Sequence, residues 1–274
     1  MFFNRKELQY HAKPDKPDAV FAKQLQEVIG GQYGEMTVAM QYLFQGWNTR
    51  GNEKYKDLLM DTGTEELGHI EMLATMVARL LEGAPVYEKE KAAKDPVIAA
   101  IMGGMDPQHA IVSGLGATAK DSDGVPWNGA YIIASGNLLA DFRSNVNAES
   151  QGRLQVARLY SLTDDKGVKD MLSFLLARDT MHQNQWLAAI KDLEAKEGPI
   201  VPSTIPPEWE ASEFSHTLYN NSGSEESSSL SWMNGTAPDG HPFKYDQAKA
   251  FSEKPVLKPA PPEAHNTLPA EDMK

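Results

Sequence analysis

The sequence predicts an all-α protein: a four-helix bundle with a long crossover between its second and third helices and an extended, mostly irregular C-terminal tail. Three observations carry that expectation. Four long segments repeat apolar residues at helical spacing. A stretch punctuated by proline and glycine, about residues 83–129, separates the second segment from the third. From Glu197 onward the chain holds 11 of its 17 prolines and no long periodic run. The expected division is a helical bundle over residues 1–196 and a tail over 197–274.

The first segment runs from about Ala19 to Trp47 with the stripe Phe21, Leu25, Val28, Gln32, Glu35, Ala39, Tyr42, Gly46. Its Gly30, Gly31 and Gly34 each cost about 1 kcal/mol against alanine in a helix, and close approach of a neighbouring helix is the expected compensation. After the turn TRGN, the second segment spans about Glu53 to Glu82, with Glu66 and His69 on its apolar seam. The crossover is too long for a hairpin loop and is expected to contain a short helix or two, in pieces such as PVIAAIMGG. The third segment, about Gly129 to Leu162, carries Asn145 and Glu149 among Leu138, Phe142, Val156 and Leu159. In the turn TDDKG, Thr163 or Asp164 is the expected N-cap of a fourth helix reaching about Lys196, whose stripe includes Asp179 and His182. The tail's polar run NNSGSEESSS is typical of disorder, but Trp209, Phe214, Trp232, Phe243 and Phe251 argue for a tail docked on its own bundle or on a neighbouring subunit.

Composition removes several functions. A formal charge of −12 disfavours nucleic acid and anionic membrane surfaces, which require clustered Lys and Arg. The 274 residues include no cysteine, which excludes disulfides, thiolate metal sites and thiol redox chemistry. The N-terminal stretch lacks the apolar core of a signal peptide, and no apolar run approaches the roughly 20 residues of a membrane span, so a cytoplasmic protein is expected.

The polar residues inside the stripes carry the chemistry. Residues three apart on a helix project in nearly the same direction, so Glu66 and His69 can share one ion. The second half repeats the plan, with Glu149 on one helix and Asp179 and His182 three apart on the next. Glu35 to His69 is 34 residues and Glu149 to His182 is 33, which implies a pseudo-twofold bundle with a polar centre. A lone E-x-x-H is weak, since helices are rich in glutamate and a single histidine is usually surface or satisfied core. Converging buried carboxylates are another matter: each unpaired one costs several kcal/mol, against a domain stability of about 5–15 kcal/mol. Something cationic must sit among them. Arg143, Arg153 and Arg178 are candidates, but two symmetrically placed histidines favour a metal. Oxygen and nitrogen donors without sulfur suit manganese or iron, and glutamate can bridge two ions.

At these residues the sequence resembles the non-haem manganese catalases of the ferritin-like superfamily. The strings MQYLFQGWNTRGNEKYKDLLMDTGTEELGHIEM and NLLADFRSNVNAESQGRLQVARLY are similar to that family, and the likeness reaches APDG and KPAPPEAHNTLP in the tail. The resemblance implies two manganese ions per subunit, one held by Glu35 and His69, the other by Glu149 and His182, with Glu66 bridging. It implies hydrogen peroxide as substrate, a cycle between Mn(II) and Mn(III) pairs, and a homohexamer, with spore association a further setting. Ferritin-like di-iron enzymes often ligate through a second E-x-x-H, whereas this chain has Asp179 before His182; the resemblance assigns Asp179 an acid/base role without ligation. Tyr42 resembles the family's tyrosine that hydrogen-bonds near the site, its alternative being a core aromatic with a satisfied hydroxyl. Some members carry arginine immediately before the third glutamate, where this chain has Ala148. Asp57 and Asp61, with Asn220, Ser222 and Ser224, resemble the family's structural calcium site, the alternative being solvated aspartates on an exposed face. A di-iron oxidase or peroxidase, and an iron-storage or spore-coat shell protein, are the competing functions on the same bundle.

Overall fold

A computed structural model describes residues 3, 5–83, 107–220, 235–247, 249–258 and 260–266. The chain divides into two compact units, Met1–Ser203 and Thr204–Lys274. The first is the helical bundle. Two helix hairpins build it: α3 (Glu35–Asn48) with α4 (Glu53–Leu80), and α6 (Leu138–Ser161) with α7 (Lys166–Glu197). Two short helices precede them, α1 (Ala19–Leu25) and α2 (Glu27–Gly30), and α5 (Pro107–Ile111) lies in the crossover. The expected crossover pieces over residues 84–106, PVIAAIMGG among them, lie outside the described residues.

The first segment, expected as a single helix, is in fact three. Its break falls at Gly31 and Gly34, whose ψ values of 170° and 168° are extended, and Gln32 between them is exposed rather than on a buried stripe. Gly30 answers to close approach by the crossover backbone and not by a neighbouring helix: a Cβ there would lie 2.3 Å from the carbonyl oxygen of Lys120, whereas Gly31 and Gly34 lie against carbonyls of α2 itself. Gln26 fastens the same segment, donating to the carbonyls of Thr118 and Lys120 at 2.7 and 2.9 Å. The break has a consequence for the bundle's centre. It makes Glu35 the first residue of α3, where the helix dipole favours an anion. Helix-to-helix approach occurs instead at Gly63, where a Cβ would stand 3.0 Å from the Leu43 side chain.

The third helix also begins later than the periodicity suggests. Residues Gly129–Tyr131 form a 3-10 turn, and α6 starts after Asn137, whose side chain accepts from Ala140 N at 3.0 Å. Helix α7 is capped by Asp165, not by Thr163 or Asp164. Its carboxylate accepts from Val168 N at 2.9 Å and also from the backbone of Asp15 and Lys16, so one cap ties the N-terminal arm to the hairpin.

Apolar residues form two separate clusters. One gathers α1, α2, the C-terminal half of α4, Val156 and Leu159 of α6 and the start of α7. The other gathers Tyr42, Tyr55, Leu59, Leu139, Phe142, Trp186 and Leu193. Along α4, α6 and α7 the polar seam residues fall between these clusters in sequence. No helix among the described residues is long and apolar enough to cross a membrane.

In the second unit the tail is not wholly irregular. Strands β1 (Thr217–Asn220) and β2 (Lys244–Gln247) pair in parallel, with Thr217 opposite Lys244. Phe214, Tyr219 and Phe251 cluster there with ring centroids 5.6–6.4 Å apart. A short helix, α8 (Pro262–His265), follows, and Trp232 lies outside the described residues.

Asp165→Ala is expected to lower stability by about 1–2 kcal/mol, read as a lower urea midpoint at unchanged slope. Burial opposes ionisation of Asp165, but the backbone N–H groups of Asp15, Val168 and Lys16 outweigh it and hold the carboxyl below the ordinary range. The native pKa being the lower one, the cap contributes fully above the unfolded value of about 4 and its contribution fades as pH falls through the native value. The wild-type advantage over Asp165→Ala therefore shrinks in acid.

Candidate metal centre

Between the two apolar clusters sit Glu35, Glu66, His69, Glu149, Asp179 and His182, all buried, the two imidazoles with no exposure at all. Each comes from where its helix period puts it: Glu35 from the start of α3, Glu66 and His69 from one face of α4, Glu149 from α6, Asp179 and His182 from one face of α7. Their ligand atoms form two groups, Glu35–Glu66–His69 and Glu66–Glu149–His182, within each of which the atoms lie no more than 4.8 Å from one another.

Glu66 belongs to both groups, one oxygen to each. Its Oε2 is 2.6 Å from His69 Nδ1 and its Oε1 is 2.8 Å from His182 Nδ1. Glu35 Oε2 lies 3.7 Å from His69 Nδ1, and Glu149 Oε1 lies 3.4 Å from His182 Nδ1. The two imidazole rings face one another at 5.8 Å. Tyr42, fully buried on α3, donates its hydroxyl to Glu149 Oε1 at 2.6 Å and packs its ring against Trp186. It is therefore both a core aromatic and a hydrogen-bond donor at the centre.

Electrostatics make the need for a cation explicit. Burial first, then the Glu66 charge, pushes the carboxyls of Glu35 and Glu149 up. Burial, Glu149 and Glu66 push Asp179 up to about 8. Burial would lower both histidines, but the Glu66 carboxylate and its neighbours win: His69 rises well above the ordinary imidazole range and His182 to about 12. Burial acts against Glu66 as well, yet the two imidazoles hold it below the usual carboxylate range. Without a metal, then, the cluster remains near neutrality by holding protons. Imidazolium ions occupy the place of cations.

Of the arginines that might have done this, two are engaged elsewhere and Arg178 pairs with Glu65 behind the histidines. Arg143 donates to Glu194 and to the Pro199 carbonyl, Arg153 to Thr180, and Arg178 to Glu65. Meanwhile Glu66 Oε1, His182 Nδ1 and Asp179 Oδ2 are buried without a hydrogen bond of acceptable geometry among the described residues. Orphaned polar atoms on converging hard donors fit a pair of divalent ions bridged by Glu66.

A narrow cavity, with about 10 Å³ of room for the centre of a water-sized molecule, reaches this cluster. Val28, Tyr33, Val38, Ala148, Gly152 and Val156 give it apolar walls, and Glu35, Glu149 and Asp179 its polar end. Room of that size holds about one water molecule.

The whole chain, residues 1–274, matches the family described as manganese containing catalase. This chain belongs to the manganese catalase family. It is 71% identical over 273 residues to a manganese catalase of Bacillus subtilis, covering 99% of this chain and 100% of that protein. A manganese catalase of Lactiplantibacillus plantarum is 50% identical over 267 residues, 97% of this chain and 99% of that one. The crystal structure of wild-type KatB, a manganese catalase from Anabaena, superposes with a TM-score of 0.71 at 26% identity, covering 89% of this chain and 98% of that one.

The calcium expectation draws no support. Asp57 and Asp61 are exposed on α4 and join no cluster of metal-binding side chains among the described residues. Asn220 ends β1, while Ser222 and Ser224 lie outside the described residues. Sequence reasoning missed Glu65, which stands 3.7 Å from His69 Nε2 and 3.2 Å from His182 Nε2. Its signal was available: four residues before His69, it shares that histidine's helix face.

Because burial and neighbouring charges push the carboxyls of Glu35 and Glu149 and the imidazoles of His69 and His182 towards their protonated forms in the metal-free cluster, loading manganese is expected to displace protons. Lowering the pH favours those protonated forms, so manganese affinity is expected to fall as pH falls from about 8 to about 5, with net proton release on binding. Titration of metal-stripped protein in weak buffer with a pH indicator reads both; pH-independent affinity would contradict a proton-holding cluster.

Proposed function

We propose that this chain disproportionates hydrogen peroxide at a carboxylate-bridged dimanganese centre, two H2O2 giving two H2O and one O2. The observation that carries this reading is the placement of Glu66, whose two oxygens each face the inward nitrogen of a different histidine. Glu35 and His69 would hold one ion, Glu149 and His182 the other, and Glu66 both. When bound, the manganese pair supplies a two-electron reservoir, Mn(II)2 and Mn(III)2, matched to a two-electron substrate.

The chain's own residues do the rest. Proton transfer is assigned to Asp179: it lines the narrow cavity beside Glu35 and Glu149, and its buried Oδ2 has no hydrogen-bond partner among the described residues. As an aspartate, one methylene shorter than glutamate, it remains outside both ligand groups. Tyr42 orients Glu149 by its 2.6 Å hydrogen bond. The apolar walls of the cavity limit how much water accompanies the substrate. Assembly as a homohexamer is part of the same proposal and rests on the family likeness.

Oxygen evolution from peroxide by manganese-loaded protein, with no added reductant, is expected at one O2 per two peroxides. Peroxide loss or metal oxidation without oxygen release would sink the catalase reading and favour an oxidase or a storage protein. Asp179→Ala is expected to retain two ions by elemental analysis while turnover falls about a hundredfold or more. Loss of metal in that variant would make Asp179 a ligand instead. Tyr42→Phe is expected to retain both ions with a smaller loss of turnover, since Glu149 keeps its carboxylate and loses only its donor.

A further inference from the structure

Each histidine of the centre has a second nitrogen. In both, Nδ1 faces inward to Glu66, so Nε2 must carry the imidazole proton whenever Nδ1 offers its lone pair to an ion. Both Nε2 atoms face a single residue, Glu65. Its Oε2 lies 3.2 Å from His182 Nε2, and its Oε1 lies 3.7 Å from His69 Nε2. The 3.7 Å contact is electrostatic, longer than a hydrogen bond, and the buried His69 Nε2 has no hydrogen-bond partner among the described residues.

Consecutive glutamates therefore sandwich the two rings. Glu66 puts one oxygen against each inner nitrogen, and Glu65 turns one oxygen towards each outer nitrogen. Glu65 is itself held in that attitude. Arg178 donates Nε to Oε1 at 2.6 Å and a second guanidinium nitrogen to Oε2 at 3.1 Å, and Gln9 of the N-terminal arm donates to Oε1 at 3.0 Å. The guanidinium offsets the carboxylate's charge, so Glu65 adds no uncompensated anion to a cluster already rich in them.

We propose that Glu65 is the shared outer anchor of the centre, a positioning residue whose one carboxylate fixes the tautomer and orientation of both His69 and His182 and thereby couples the two ion subsites. The inference rests on the dimetal reading and adds to it. A carboxylate behind a ligating imidazole locks the proton on the far nitrogen and makes the near one more basic. Here a single carboxylate serves two rings, so whatever loosens it loosens both subsites together.

The test is manganese binding to metal-stripped protein, followed by equilibrium dialysis with elemental analysis and independent of turnover. Wild-type protein is expected to take two ions. Glu65→Gln keeps the shape but loses the charge and one acceptor, and is expected to bind both ions about tenfold to a hundredfold more weakly. Thr64→Ala, one residue away on the exposed face of α4, is the control and is expected to bind as wild type. Weakening of one ion alone, or of neither, in Glu65→Gln overturns the shared anchor while leaving the dimetal reading intact. Wild-type protein that fails to bind a pair of ions overturns both. If Glu65→Gln does not fold, 15N NMR of histidine-labelled wild-type protein loaded with zinc, a diamagnetic probe, decides. Both rings are expected to carry the proton on Nε2, shifted downfield by a carboxylate acceptor; a proton on Nδ1 of either ring, or an Nε2 proton without that shift, overturns the proposal.

Discussion

Burial of several carboxylates in one place is the constraint on which this structure turns. Glu35, Glu66, Glu149 and Asp179 sit in a bundle whose apolar clusters lie on either side, and the desolvation of that many anions exceeds what a domain's net stability can absorb unaided. Two outcomes are physically open to such a cluster: it holds protons, or it holds cations. The imidazoles of His69 and His182 let it do either. Protonated, they neutralise Glu66; neutral, they become ligands. The hairpins, the caps and the break before α3 all serve to deliver these side chains to one place.

That delivery explains features that look wasteful in isolation. Three glycines within five residues, Gly30, Gly31 and Gly34, would weaken a continuous helix, yet here they end one helix and begin another so that Glu35 enters at an N-terminus. The crossover segment at Thr118–Lys120 packs into the space that Gly30 leaves and is fastened by Gln26. A buried amide network does comparable work further along the bundle, with Asn145 of α6 bonded to both Gln41 and Gln45 of α3. The two hairpins are thus joined by polar contacts of fixed geometry near the place where the ligand geometry must be fixed.

Much of this was legible in the sequence. Long apolar periods marked the four bundle helices, and the polar residues on their seams include every member of the two groups that could hold a metal, because a carboxylate inside an apolar stripe is too costly to bury without a cation or a proton beside it. What the period could not reveal was where helices stop. Gly31 and Gly34 are compatible with a helix locally, and a period carries no mark of the extended backbone they adopt beside Gly30, which meets Lys120 from far along the chain. The cap fell on Asp165 rather than its neighbours because the N-terminal arm needs the same carboxylate. Glu65 could have been found by its i,i+4 spacing to His69 on α4, but its partners on α7 and the arm, His182, Arg178 and Gln9, are ones that no single-helix pattern brings together.

Helices α4 and α7 each present two consecutive charged residues to the centre. On α4, Glu66 faces inward between the rings and Glu65 faces their outer nitrogens. On α7, Asp179 lines the narrow cavity and Arg178 grips Glu65. Neighbours on a helix are turned by about 100°, so each pair divides its duties between two sides of the same imidazole layer. The cavity side carries Asp179, and the outer side carries Glu65, a carboxylate whose charge is paired with Arg178. On the proposed reading, separating proton handling from ligand orientation in this way would let the first vary through a catalytic cycle while the second stays constant. A one-residue step along each of two helices is sufficient to build both.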